Sequence, residues 1–356
     1  TAGKVKSNAT ATANAVFNVD GGVVTGGIDN TKGTVNLKSG EIKTTAITNG
    51  DLMNVTGGVL SAKATNSGTI NANGTAGVQA LQSEITNSKT VNLLGTATLN
   101  AAAKVTGGTL NIGSNDNTEG NITITSNNAA QISAGSTTIY SGDKLILTAG
   151  TLGGQVNGAG TLEINGNVEA DADYIKANTN TVDSSKTLTL TDGTITKDIG
   201  GTGGTIQIKQ GTSDAIRNRV YAEAMLNTSK VTIESYATLY IDVDRLGTGN
   251  NIEVKTNGII GLTANNNDED GTDTDTLKAV LTGGTSIFSA GSGKTIHTAA
   301  GNIQSDSNKV ESGTLDLTSG ILTKALDKSA TAGTVLVSGN VETKANITDL
   351  DINIDS

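Results

Sequence analysis

The densest set of side chains able to do chemistry is the run Asn265-Asn266-Asn267-Asp268-Glu269-Asp270-Gly271-Thr272-Asp273-Thr274-Asp275. Carboxylates alternating around a glycine suit Ca²⁺, which takes oxygen ligands from flexible loops. Asp268, Asp270, Asp273 and Asp275 are the residues that would hold the ion. The spacing is not that of the helix–loop–helix calcium site, because the closing bidentate Glu is missing. Nor is it the glycine-rich nonapeptide calcium repeat. A solvated loop bulging from a corner explains the same string. Calcium is the one cofactor the sequence raises. Asp242 and Asp244 form a sparser pair. Leu239, Ile241 and Val243 alternate with Tyr240, Asp242 and Asp244, which puts both acids on the outer face of a strand.

Other chemistry is poorly supplied. The chain has no Cys, so there is no thiol nucleophile, disulfide framework or thiolate zinc site. His297 is the single histidine, which leaves no imidazole cluster for a metal and little room for a triad. It follows Lys294-Thr295-Ile296 and reads as a surface residue of a strand. Carboxylate pairs can hydrolyse glycosides, but a sugar-cleaving groove needs aromatic walls. Five Tyr, two Phe and no Trp are present. Tyr236 and Tyr240, four apart in a strand reading, would share a face as a small platform or a packing contact. No enzyme is expected. A net charge of -10 argues against nucleic acid as a partner. No apolar stretch reaches the roughly 18 residues that cross a bilayer, so no membrane insertion of this segment is expected.

What must position these side chains is a scaffold of short strands. Gly accounts for 46 of 356 residues, Pro is absent, and aromatics are 2%. Val, Ile and Thr suit a pleated strand, and their abundance sets the chain apart from disordered compositions. A core without aromatic filler calls for a narrow, regular interior. One word returns along the chain: a turn residue, Thr, then apolar-x-apolar. It reads Gly33-Thr34-Val35-Asn36-Leu37, Gly68-Thr69-Ile70-Asn71-Ala72, Lys89-Thr90-Val91-Asn92-Leu93 and Gly108-Thr109-Leu110-Asn111-Ile112. Later copies include Gly204-Thr205-Ile206-Gln207-Ile208 and Gly313-Thr314-Leu315-Asp316-Leu317. The clearest copies lie about 18 to 26 residues apart. Val-Thr-Gly-Gly and Asn-Gly steps between them mark tight corners.

Short strands with Asn-Gly turns would also fit a hairpin sandwich. The constant period, the missing aromatics and the even composition favour stacked coils. The expected fold is all-β: a right-handed parallel β-helix, or β-solenoid, with one short inserted helix. Roughly seventeen coils at about 4.8 Å each would make a rod on the order of 80 Å long. Inward Val, Ile and Leu would stack in ladders, and Thr and Asn would stack outside or at corners. The absence of Pro fits, since every rung must donate its N–H.

The pattern breaks once, at Ser213-Asp214-Ala215-Ile216-Arg217-Asn218-Arg219-Val220-Tyr221-Ala222-Glu223-Ala224-Met225-Leu226-Asn227. Ile216, Val220 and Ala224 fall at i, i+4 and i+8, one helical face, and Ser213 is a fit cap. The expected division is an N-terminal solenoid over 1–212, a helical insertion over 213–227 and a C-terminal solenoid over 228–356. Arg217, Arg219, Tyr221 and Met225 are the residues that would dock a neighbouring subunit, being types enriched at interfaces.

Gly-Thr-Ile-Asn-Ala-Asn-Gly at 68–74, Val-Thr-Gly-Gly-Thr-Leu-Asn-Ile at 105–112 and Gly-Thr-Leu-Asp-Leu-Thr-Ser-Gly at 313–320 carry a resemblance. The chain resembles the repeats of bacterial type V secreted passengers, the autotransporter and filamentous-haemagglutinin-like surface proteins. Some surface-layer proteins are similar in composition. The resemblance implies a β-helical, often adhesive protein, secreted to the bacterial cell surface. The chain opens at Thr1 without a signal peptide and stays in strand style through 349–356. The expectation is a processed passenger, a fragment, or a subunit whose ends abut other subunits. Two roles are expected. One is an extracellular rod mediating attachment through a host or neighbouring-cell ligand. The other is a homo-oligomer stacking end to end into a filament or surface layer.

Overall fold

The computed structural model describes residues 5–8, 15–43, 46–247, 250–264, 275–329 and 333–355. Its strands pair in parallel and stack as the coils of a β-solenoid of about 16 turns, with one α-helix. Parallel pairing from coil to coil excludes the hairpin sandwich. The chain divides into two compact units, Thr1–Ala170 with Tyr174–Thr181, and Asp171–Asp173 with Val182–Ser356. The chain passes between the two units within 170–182.

In the first unit the sequence word stacks on itself. Val35, Met53, Ile70, Val91 and Leu110 pair rung on rung, and each is at most 1% exposed. Each such side chain leaves water at a gain of about 1.5–3 kcal/mol. The residues between them point outward. Asn18, Asn36, Asn54, Asn71, Asn92 and Asn111 fall in one outer column. Each Nδ2 donates to the Oδ1 of the coil before, at 2.7–3.1 Å. A second ladder is buried at a corner. Nδ2 of Asn30, Asn49 and Asn66 donates to Oδ1 of Asn49, Asn66 and Asn87 in turn, each at 2.7 Å. The same amides donate to the carbonyls of Leu52, Thr69 and Thr90, so that each corner is tied to the next coil. Buried amides are tolerated because each donates to the next coil, and those of Asn49, Asn66 and Asn87 also accept from the coil before.

Backbones approach closely between some coils. A Cβ on Gly166 would lie 1.5 Å from the Thr148 carbonyl oxygen, so only glycine fits there. The helix Gly74–Ala80 interrupts the strands, burying Gly77, Val78 and Ala80. It follows the Asn73-Gly74 step, where Gly74 has φ +67°. That corner was legible; the short helix after it was not.

The second unit repeats the scheme. Leu188, Ile206, Val231, Ile252, Leu281 and Ile303 form one inward column, all at 0% exposure. A second parallel sheet of this unit runs along Gly193–Ile195, Asn218–Ala222, Ala237–Asp242 and Ile259–Thr263.

The segment 213–227 is not a helix, correcting the expectation. Ser213 and Ile216 close an isolated antiparallel bridge, Asn218–Ala222 is a strand, and Leu226–Ile233 begins the next. Val220, Ala222, Ala224 and Leu226 are buried, while Arg219, Tyr221 and Glu223 are exposed. A spacing of four satisfies a period of two as well as one of 3.6. The neighbouring strands at 193–195 and 237–242 offer ladder bonds that a helix would forgo. Ile216 is 66% exposed, so the third member of the expected helical face is not in the core.

Candidate functional site

Asp268, Asp270 and Asp273 lie outside the described residues. Asp275 is described, and the fold brings it to Asp242 and Asp244, with carboxylate oxygens of all three within 4.8 Å of one another. Asp242 caps the short 3₁₀ turn Val243–Arg245, its Oδ1 accepting from the Asp244 N–H at 3.3 Å. Asp244 Oδ1 accepts from the Thr276 N–H at 3.1 Å, which fixes it to the strand that follows the loop. An all-oxygen donor set suits Ca²⁺ and not zinc. The sequence reading had ranked Asp242 and Asp244 below the acidic loop. Only the coil stacking shows that they share a site with Asp275.

The expected docking residues separate. Arg217 donates through a terminal nitrogen to the Asn257 carbonyl at 2.8 Å, pairs with Asp214, and lies 6.0 Å from the Tyr236 ring centroid. It braces the turn at 211–217. Met225 is half-buried, whereas Arg219 and Tyr221 project from one face of the strand Asn218–Ala222. Tyr236 is not in a strand with Tyr240: it sits in a turn with φ +58°. The partner of Tyr240 is Tyr221, its neighbour in register on the preceding coil. Their rings stack at 4.9 Å with a 13° interplanar angle, and they are 46% and 38% exposed.

A shallow groove of about 360 Å³ opens beside this stack, lined by Tyr221, Glu223, Tyr240, Asp242, Arg245 and Thr263 along its polar rim. Asp242 thus belongs both to the groove and to the acidic group behind it. The groove gathers aromatic edges, acceptors and donors from three successive coils of one unit.

His297 is half-buried, and its Nδ1 lies 2.7 Å from Asp316 Oδ2, its register partner on the next coil. Ser338 Oγ donates to the same oxygen at 2.8 Å. Asp316 is 2% exposed. His297 and Ser338 both meet the Asp316 carboxylate, so this is not the Ser-to-His-to-Asp order of a nucleophile relay. In the repeated word Asp316 is only a polar letter between Leu315 and Leu317.

Asp143 is another buried acid, 1% exposed. Its Oδ1 accepts from the Ile122 N–H at 2.7 Å, and Oδ2 has no partner among the described residues. That oxygen occupies the space a Gly113 Cβ would need, 1.7 Å away. Burial pushes its pKa above the ordinary 3.8; the Ile122 N–H opposes this and the Glu119 charge adds to it. The folded state therefore holds this proton to higher pH than the unfolded chain does. The acid's contribution to stability is greatest below the ordinary value and falls as pH rises through the raised one. Asp143→Asn keeps the bond from Ile122. It is expected to raise the melting temperature at pH 7 and to leave it unchanged at pH 3, as followed by circular dichroism. An equal gain at both pH values would show that charge is not the cause.

Comparison of the chain with protein-family models, curated proteins and solved structures gives no match.

Proposed function

We propose that this chain is a surface-attachment scaffold, secreted from a bacterium and working outside the cell. The observation that carries this reading is the division of labour between columns: aliphatic ladders fill the interior, and outer columns present polar and aromatic side chains at the surface. One outer column of the second unit places an exposed tyrosine pair beside a polar groove. The absence of cysteine and the Thr-, Asn- and Gly-rich words support the same reading. Their style is that of type V passengers. Sequencing the gene's surroundings for a translocator barrel tests that origin.

Beads coated with the purified chain are expected to adhere to epithelial or bacterial cells well above albumin-coated beads. Equal retention of the two would end the attachment reading. A second reading is end-to-end assembly. It is favoured by Ile352 and Ile354 on the strand Asp351–Ile354, 48% and 77% exposed although they continue the inward columns of Val335 and Val337. A further coil, from a second copy or from more chain, would cover them. Long fibres in negative-stain micrographs, lost on Ile354→Asp, support assembly. Discrete particles at high concentration argue against it.

A further inference from the structure

We infer that the groove beside Tyr221 and Tyr240 binds a neutral saccharide chain, which deepens the attachment reading and rests on it. Five tyrosines and two phenylalanines are all the aromatics in the chain. Two of them share one outer column on adjacent coils and remain substantially exposed. An exposed pair contributes less to folding than a buried one, so the placement favours contact with something outside.

The stack is held ready. Tyr240 is followed in register by Gly261, where a Cβ would come 2.7 Å from the Tyr240 ring. The ring therefore lies over bare backbone on one side and Tyr221 on the other, and its orientation is fixed before any ligand arrives. Rigid aromatic contacts of this kind lose little entropy on binding.

The polar rim gives the chemistry. Glu223 and Asp242 offer acceptors, while Arg245, Thr263 and the two phenol hydroxyls offer donors. Among the described residues Arg245 forms no ion pair. A ligand that carries many hydroxyl oxygens on a carbon frame matches the positive ring edges and phenol hydroxyls flanked by such a rim. Anionic sugars and phosphates are disfavoured, because Asp244 and Asp275 stand with Asp242 behind the groove. At about 360 Å³ the groove is at the small end of ligand sites, and it is open at the surface. It fits a stretch of a polymer better than an enclosed metabolite.

The chain has no Trp, so its intrinsic emission comes from five tyrosines, two of them in this groove. Maltohexaose, cellohexaose and chitohexaose titrated to about 1 mM would half-fill even a weak site. A saturable change in tyrosine emission is expected with at least one of them. Tyr240→Ala should weaken binding about tenfold. Arg245→Lys, which spares the rings and keeps the charge but loses the planar fork, should weaken it too. Circular dichroism checks that both variants are folded. The proposal is overturned if no hexaose alters the wild-type signal, if both variants bind like wild type, or if only sulfated sugars or peptides bind. Beads that attach although no hexaose binds the wild-type chain sink the groove alone. Saccharide binding by a chain whose beads do not attach sinks the attachment reading and leaves the groove standing.

Discussion

Asn66→Ala is expected to lower the unfolding free energy of the first unit by about 3–4 kcal/mol, read from urea denaturation followed by circular dichroism. The Asn66 amide donates to Asn87 Oδ1 and to the Gly68 and Thr90 carbonyls, and it accepts from Asn49. Alanine removes all four bonds at once, in a corner where Asn49 and Asn66 have no exposure and Asn87 has 4%, although Asn49 keeps the Asp51 and Thr69 carbonyls and Asn87 keeps the Lys89 N–H. A buried polar group that loses its partner costs about 1–3 kcal/mol. Asn71→Ala breaks the same kind of chain in the outer ladder, where water replaces the lost partner. That change should cost under about 1 kcal/mol. If the two variants fall equally, burial of the corner ladder is not what makes it matter.

Gly166→Ala is expected to cost about 3 kcal/mol or more. Its methyl group would sit 1.5 Å from the Thr148 carbonyl oxygen and 2.2 Å from its carbon. Both are backbone atoms of the adjacent coil, so no side chain can turn aside. The coil must separate there, and the paired strands Lys144–Thr151 and Gln155–Ala170 would lose rungs. Gly301→Ala is the matched contrast. Nothing lies within 4 Å of the added methyl, so that variant should be neutral or gain about 0.4–1 kcal/mol through the unfolded chain. Thermal melts of the two proteins side by side decide the matter. A tolerated Gly166→Ala would mean that the coils are not packed at strand spacing.

The repeated word was enough to read the coil stacking, because its apolar positions return at one period and can only be buried together. Val35, Ile70, Val91 and Leu110 come from separate copies of it and do stack directly or through Met53. The segment 213–227 was misread because Val220 and Ala224 satisfy two periods at once. The deciding letters were the outward Arg219, Tyr221 and Glu223 between them. The helix Gly74–Ala80 is too short to show any period. The candidate site was less legible, since it is assembled across coils. Tyr221 meets Tyr240 through a register that depends on how many residues each corner consumes. Asp275 lies beside Asp242 and Asp244 although it is far from them in sequence, and His297 meets Asp316 through the register of adjacent coils. Local spacing carries no record of such pairings, although each lies within outward positions of a strand word or at its edge.

The two asparagine ladders of the first unit point in opposite senses. In the corner ladder each Nδ2 reaches toward the later coil, and in the outer ladder toward the earlier one. Each amide is a small dipole, and a file of them polarises its members cooperatively. Opposed files largely cancel, so adding another asparagine-bearing coil lengthens both without building up axial polarity. Gene duplication of one repeat could then extend this unit with little electrostatic penalty, provided that both asparagines are copied together.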